Sequence, residues 1–137
     1  MELLGQQRKC GLKDAAACFD LLLIFLRQSR IITIMVFIET SIFTKYIQEY
    51  LNDDEYAALQ CFLNERPEAG NIVPASGGVR KLRWAVNGRG KRGGIRVIYY
   101  WKKSEHEIWL LTAYAKNEKE NIPSHVLRKI AEEIGNG

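Results

Sequence analysis

The chain has 137 residues, a formal net charge of +4 and a sequence pI of about 9.0. Hydrophobic residues make up 47% and charged residues 26%, which are ordinary proportions for a folded soluble protein, so a disordered chain is not expected. The length suits one domain with a modest core.

Residues 1–34 differ in pattern from the rest of the chain, and we assign them to an N-terminal extension that precedes a domain at 35–137. The apolar run 19–26 is well short of the roughly 20 residues that a membrane helix needs. A signal peptide is disfavoured because basic residues come after this run and no small-residue cleavage site is present. Met35 directly precedes a strand pattern, so we expect translation to begin there. The alternative is an added helix packed on the domain.

A strand and a helical hairpin are the first predicted elements of the domain. Residues 35–38 form a short apolar run that is suited to a strand. Apolar side chains then recur at helical spacing over 42–51 and again over 56–63, which predicts two helices with a shared apolar face. Residues that can cap these helices precede both of them: Thr40 or Ser41, and Asn52 or Asp53.

The second half of the domain changes to the period of β-structure. Alternation over 79–86 predicts a half-buried strand, the β-branched and aromatic run 95–101 its returning partner, and the apolar run 107–114 a central strand. The basic, glycine-rich residues 87–94 predict a flexible turn, and residues 123–135 predict a helix opened by proline. The order β-α-α-β-β-β-α predicts an α+β fold with an antiparallel sheet.

Basic residues are concentrated in the predicted hairpin, since no acidic residue occurs from Ala69 through Ser104. Lys81 and Arg83 are two positions apart and therefore share a face of their strand, with Arg96 near them on the partner strand. The turn adds three more cations: Arg89, Lys91 and Arg92. Because cations bind phosphates and aromatic rings stack on unpaired bases, this surface favours RNA over duplex DNA. A solvated basic face without function is the alternative.

Other chemistry has little support in the residues. The three cysteines are odd in number and lack zinc or redox spacing, and Cys61 lies near an apolar helical stripe, where a packed thiol is expected. The two histidines belong to no group with metal-ligand spacing, so we predict no metal and no cofactor, in a reduced protein of the cytoplasm. The glycines of 87–94 do not form a phosphate-binding loop, because no Gly-Lys-Ser/Thr accompanies them.

Three segments together carry a family resemblance: 77–85 (GGVRKLRWA), 90–100 (GKRGGIRVIYY) and 110–118 (LLTAYAKNE). In combination they resemble the HigB branch of the RelE toxin superfamily, from about Met35 to the end of the chain. The resemblance implies a compact α+β domain that enters the ribosomal A site beside 16S ribosomal RNA and cleaves mRNA there without metal. It also implies silencing by a cognate helix-turn-helix antitoxin of the HigA type, and no membrane partner.

The resemblance further implies roles for single residues. Lys81 and Arg83 match the basic pair that contacts the scissile phosphate and its neighbours, and Arg96 matches the arginine that stabilises this phosphate. Lys116 comes after the last strand, where the family places another basic active-site residue. We expect further RNA contacts from the residues around this set: Arg80, Arg89, Lys91, Arg92, Tyr114 and Asn117.

The chain departs from RelE at Asn117, where RelE has arginine, and at residues 122–123, near which RelE has a tyrosine. The identity of the general base is therefore left open. Our hypothesis is attack by the RNA 2′-hydroxyl on the adjacent phosphate, with Arg83 and Arg96 stabilising the developing charge and Lys81 acting as acid or base. Two alternatives share the scaffold or the basic face: a gyrase poison of the ParE type, and an RNA-binding module without catalysis.

Overall fold

In a computed structural model the chain forms one sheet with helices on both of its faces. The structure describes residues 34–86, 94–118 and 122–136, together with the backbone of residues 7–9. The strands are β1 (Gln7–Lys9), β2 (Val36–Glu39), β3 (Asn71–Ile72), β4 (Val79–Trp84), β5 (Ile95–Lys102) and β6 (Glu107–Ala115). The helices are α1 (Ser41–Tyr50), α2 (Asp53–Glu65) and α3 (Ser124–Asn136), with a 3-10 turn at Lys103–Glu105. The start expected at Met35 therefore concerns a segment that lies almost wholly outside the described residues.

The strand order in the sheet is β1-β2-β6-β5-β4-β3, and β6 has the central position that its apolar sequence predicts. The predicted α+β class is confirmed, and the sheet is antiparallel as predicted except at β2. β2 runs parallel to β6, with Phe37 beside Ile108, whereas the other neighbours are antiparallel. A parallel pair requires a long connection, and the helical hairpin with three further strands supplies it here.

The two helices of the hairpin begin at side-chain caps that the sequence predicts. The Thr40 hydroxyl accepts a hydrogen bond from the Phe43 N–H at 3.1 Å and donates one to the carbonyl of Leu111 at 2.7 Å. Asn52 and Glu55 form a capping box, in which each side chain accepts from the backbone N–H of the other, at 2.8 and 2.9 Å. Both caps satisfy N–H groups that have no partner inside the helix.

The sheet separates two apolar cores. The core under α1 and α2 includes Phe37, Phe43, Leu59, Leu63, Val97, Tyr99 and Leu110. The smaller core under α3 includes Val79, Ile98, Leu111, Tyr114, Leu127, Ala131 and Ile134. Burying each large apolar side chain stabilises the fold by about 1.5–3 kcal/mol. Because strand residues alternate between faces, β4, β5 and β6 contribute to both cores.

A β-bulge between β5 and β6 decides which residues of β6 face α3. Ile98 pairs with Thr112, but the next residue, Tyr99, pairs with Leu110, so β6 has one residue more than β5 at this point. One additional residue reverses the alternation of side chains along the rest of the strand. The bulge therefore turns Tyr114 toward α3, whereas unbroken alternation from Leu110 would turn it toward α1 and α2.

Candidate functional site

Three of the predicted cations lie on the face of the sheet that packs against α3. Arg83 pairs directly with Arg96, and Arg96 pairs with Tyr114, so these residues form one row across β4, β5 and β6. Lys81 lies in the next row, beside Ile98. Directly paired residues of an antiparallel sheet share a face, as the strand period predicts for this set. We call Lys81, Arg83, Arg96 and Tyr114 the cationic face.

Lys81 reaches across β5 toward the ring of Tyr114. Its Nζ lies 5.6 Å from the ring centroid, within the range of a cation–π interaction. Tyr114 is buried, with 7% of its surface exposed, and Lys81 is half-buried. The contact therefore holds the ammonium group of Lys81 above the rigid sheet, close to the row of Arg83 and Arg96.

Arg96 carries the least satisfied group of the cationic face. Its side chain is half-buried, and its Nη1 atom is buried without a hydrogen-bond partner among the described residues. The exposed Arg83 lies directly opposite, and like charges at such positions repel each other. A buried donor without a partner is unfavourable, so this group is suited to an anion that brings acceptor oxygens.

Lys116 and Asn117 are exposed and come directly after β6, at the same end of the sheet as the row of Arg83 and Arg96. The backbone N–H of Lys116 donates to the Gly94 carbonyl at 3.4 Å, which holds this turn against the start of β5. The hydroxyl of Tyr50 donates to the Glu118 carboxylate at 2.6 Å. Burial and this hydrogen bond raise the pKa of Tyr50 to about 12. α1 thus holds the turn in place.

The structure does not bring Arg80 to the cationic face. Arg80 faces the opposite side of β4, where its Nη1 donates to the carbonyls of Glu68 at 3.0 Å and Gly70 at 2.8 Å. These hydrogen bonds hold the segment that joins α2 to β4 in place. The three cations predicted in the turn lie outside the described residues: Arg89, Lys91 and Arg92.

A pocket of about 320 Å³ opens beside the cationic face, between the sheet and the start of α3. We call it the α3 pocket. It is lined by Lys81, Tyr114, Ile98, Val73, Ile122, Pro123, Ser124 and Leu127. The sequence pattern assigned Lys81 and Tyr114 to the site but did not reveal the wall from α3. The sequence signal for this wall is slight, because it consists of Ile122 beside Pro123, the residue predicted to open the last helix.

A second polar cluster, also missed from the sequence, lies beside α1 and α2. The carboxylate of Glu39 is 1% exposed and accepts hydrogen bonds from the hydroxyls of Tyr56 and, at 2.8 Å, Thr44. Gln60 in turn donates to the Tyr56 hydroxyl at 3.2 Å. Because the carboxylate is hydrogen-bonded within the fold, the cluster fits a structural role, and it lies apart from the cationic face.

Metal-binding clusters and membrane-spanning helices are both absent from the described ranges. Among residues 34–86, 94–118 and 122–136, no three or more His, Cys, Asp or Glu side chains are grouped so that they hold a metal ion. No helix within those ranges has the length and apolar character needed to cross a membrane.

One family model matches residues 35–135, which is well over half of the chain. It describes the RelE toxin of the RelE/RelB toxin–antitoxin system. The matched range runs from β2 through most of α3 and contains the cationic face, the turn after β6 and the α3 pocket. The protein is thus the toxin of a toxin–antitoxin pair, and its partner is an antitoxin. The chain belongs to the RelE toxin family.

Proposed function

We propose that the protein is an endoribonuclease that cleaves mRNA in the ribosomal A site and so stops translation. The observation that carries this proposal is the direct pairing of Arg83 with Arg96, with Lys81 on the same face. The buried Nη1 of Arg96 has no acceptor among the described residues, and a phosphodiester would supply one. Guanidinium groups suit this task because they donate two parallel hydrogen bonds to the oxygens of one phosphate.

The reaction that fits these groups needs no metal. The 2′-oxygen of a ribose attacks the adjacent phosphorus, the bond from phosphorus to the 5′-oxygen breaks, and the products are a 2′,3′-cyclic phosphate and a 5′-hydroxyl. One proton leaves the 2′-hydroxyl and one reaches the departing 5′-oxygen. Arg83 and Arg96 stabilise the additional negative charge on the pentavalent phosphate. Such electrostatic stabilisation of the transition state is usually the largest single contribution to catalysis.

We assign proton transfer to Lys81, because its ammonium group is held near the arginine row by the ring of Tyr114. Lys116 and Asn117 would bind the RNA backbone from the turn after β6, which the Tyr50–Glu118 hydrogen bond holds in place. The cations predicted in the turn after β4 would extend the same contact: Arg89, Lys91 and Arg92. Such contacts position the strand without reading its sequence.

The antitoxin would act by covering the cationic face. The two strands that carry Lys81, Arg83 and Arg96 have no carboxylate, because no acidic residue occurs from Ala69 through Ser104. An acidic segment is therefore the complementary partner. We propose a helix-turn-helix antitoxin of the HigA type, encoded next to the toxin gene. The absence of any small antitoxin gene on either side would contradict this assignment.

The test uses purified ribosomes programmed with mRNA and the antitoxin-free protein. Lys81→Met, Arg83→Met and Arg96→Met are each expected to slow cleavage by about 10²–10³-fold, the usual effect of removing one group that stabilises transition-state charge. Lys45→Met and Arg66→Gln are matched controls, because these exposed cations belong to the hairpin on the opposite side of the sheet. The controls should cleave at the wild-type rate.

The same assay separates the proposal from its alternatives. Cleavage that persists when Lys81, Arg83 and Arg96 are all replaced would show that the proposal is wrong. Intact mRNA that stays bound to the protein would indicate an RNA-binding module. Intact mRNA together with loss of DNA supercoiling by gyrase would indicate a gyrase poison of the ParE type.

A further inference from the structure

α3 covers only part of the sheet face on which it lies. It packs chiefly on β4 and β5, whereas β2 lies beyond β6 in the strand order. Val36 and Ile38 of β2 point to this face, because the intervening Phe37 lies in the core of α1 and α2. Trp109 pairs with Ile38, points to the same face and is half-buried. We call Val36, Ile38 and Trp109 the β2 face.

Ile38 is more deeply buried than α3 can explain. Its side chain is 8% exposed, although it belongs to neither of the two apolar cores. The neighbouring strands β1 and β6 flank Ile38 but do not lie above it, because paired strands are side by side in the plane of the sheet. The burial of Ile38 therefore indicates that further residues of the chain lie above β2.

The connection between β1 and β2 is the part of the chain that is placed to do this. Lys9 pairs with Val36, so the chain leaves β1 and enters β2 at the same end of the sheet. Two residues are enough to join adjacent antiparallel strands, whereas residues 10–35 join these two. Both ends of this long connection are thus fixed beside the β2 face.

The composition of the connection also suits an apolar surface. Residues 15–26 contain one charged side chain, Asp20, and are otherwise apolar. Such a run is too short to span a membrane, and in water its burial is favourable. The opposite face of the sheet is already covered by α1 and α2, where Phe37 is fully buried. The β2 face is the apolar surface that lies next to both ends of the connection.

We infer that the β2 face is the docking surface for residues 10–33 of the same chain, whose apolar run 19–26 packs on Ile38 and Trp109. A segment that is tethered at both ends has a high effective concentration, which favours it over a separate partner. This occupant agrees with the alternative to a start at Met35, in which the preceding residues pack on the domain. The inference does not rest on the proposed function, because the β2 face shares no residue with the cationic face.

Disulfide trapping in the full chain tests which residues lie over the β2 face. The three native cysteines are replaced by serine, Ile38→Cys places one thiol in the β2 face, and a second thiol is placed at each position of 19–26 in turn. A disulfide forms only where the two Cα atoms come within about 7 Å of each other. We expect an intramolecular disulfide at one or more of these positions, detected by mass spectrometry of peptides prepared without reduction.

Ile42→Cys is the matched control, because Ile42 is an exposed isoleucine of α1, on the opposite side of the sheet. It should form no intramolecular disulfide with the same positions.

A second measurement needs no cysteine and decides if the Ile38→Cys proteins do not fold. Leu22→Gln and Leu23→Gln together remove apolar side chains from the run and should lower the Tm of the full chain by about 5–15 °C. The exposed Ile42 again supplies the control, since Ile42→Gln should change Tm by less than about 2 °C.

Four outcomes would overturn the inference, and none of them bears on the cleavage of mRNA. An unchanged Tm in the double variant, without any disulfide to Ile38→Cys, would show that the run lies elsewhere. Disulfides formed only between chains would assign the β2 face to a second copy. Protection of the Ile38→Cys thiol by the antitoxin, without a disulfide in the free toxin, would assign it to the antitoxin. A native protein whose intact mass begins at Met35 would lack the segment.

Discussion

Arg96→Met is expected to raise the free energy of unfolding while it slows the cleavage of mRNA. The substitution keeps an unbranched side chain of similar length, so the packing of the stem is retained. It removes the guanidinium group whose Nη1 is buried without a partner among the described residues, and it removes the positive charge that lies directly opposite Arg83. Both changes relieve an unfavourable feature of the isolated toxin.

The size of the effect is set by these two contributions. A buried donor that lacks a partner destabilises a fold by about 1–3 kcal/mol, and like charges on paired strands by about 0.2–1 kcal/mol. Because Arg96 is half-buried, the lower part of the first range applies. We therefore expect Arg96→Met to be more stable by about 1–2 kcal/mol, which raises Tm by about 4–8 °C per kcal/mol in a domain of this size.

Urea and thermal unfolding of the antitoxin-free toxin measure the change, with cleavage on ribosomes measured in parallel. Arg83→Met is the matched control: its side chain is exposed, so its loss relieves only the repulsion and should stabilise by less than about 1 kcal/mol. Inorganic phosphate adds a second measurement. It should stabilise the wild-type protein, since a ligand that binds only the folded state raises its stability, and should stabilise Arg96→Met less.

Three results would refute this reasoning. If Arg96→Met lowers the free energy of unfolding, the buried Nη1 is satisfied in solution and stores no unfavourable energy. If the variant is stabilised and still cleaves at the wild-type rate, Arg96 does not act on the phosphate. If phosphate stabilises both proteins equally, its binding site lies elsewhere.

Two further predictions concern the scaffold that supports the site. The Tyr99 hydroxyl, in a fully buried side chain, donates to the Pro67 carbonyl at 2.7 Å and accepts from the Gly70 N–H at 2.9 Å. Tyr99→Phe should therefore lower the free energy of unfolding, measured by urea titration, by about 2–4 kcal/mol. A loss under about 1 kcal/mol would contradict this prediction. Tyr50 has a raised pKa, so the stability from its protonated form is present below pH 10 and is lost as the pH rises toward about 12. The free energy of unfolding, measured from pH 10 to about 12, should fall less steeply with pH in Tyr50→Phe than in the wild type.

Local patterns in the sequence predicted most of the elements and the composition of the cationic face. The caps at Thr40 and Asn52 depend on side-chain bonds within a few residues, and these are visible in the sequence. The shared face of Lys81 and Arg83 results from the period of a strand alone. To place Arg96 beside these two residues required one further assumption, a hairpin with its turn at 87–94. The observed pairing of Arg83 with Arg96 supports that assumption.

Features that depend on distant pairing were not predictable in this way. The bulge that turns Tyr114 toward α3 is an offset between β5 and β6 that no pattern within either strand specifies. The parallel pairing of β2 with β6 joins segments far apart in the chain, and so does the contact of Lys81 with Tyr114. The α3 pocket forms only when α3 packs on the sheet. Arg80 shows the converse: its neighbours suggest a phosphate contact, but its carbonyl partners lie in a loop before β4.

Buried polar groups without a hydrogen-bond partner among the described residues lie on both faces of the sheet. On the side of α1 and α2, the carboxylate of Glu39 is hydrogen-bonded by two hydroxyls, but the buried indole Nε1 of Trp101 has no partner. On the side of α3, the buried Nη1 of Arg96 and the buried hydroxyl of Thr112 have none. Of these three groups, that of Arg96 carries a positive charge and lies directly opposite a second arginine. Its unpaired donor is therefore an argument for an anionic ligand at the cationic face that is independent of the count of positive charges.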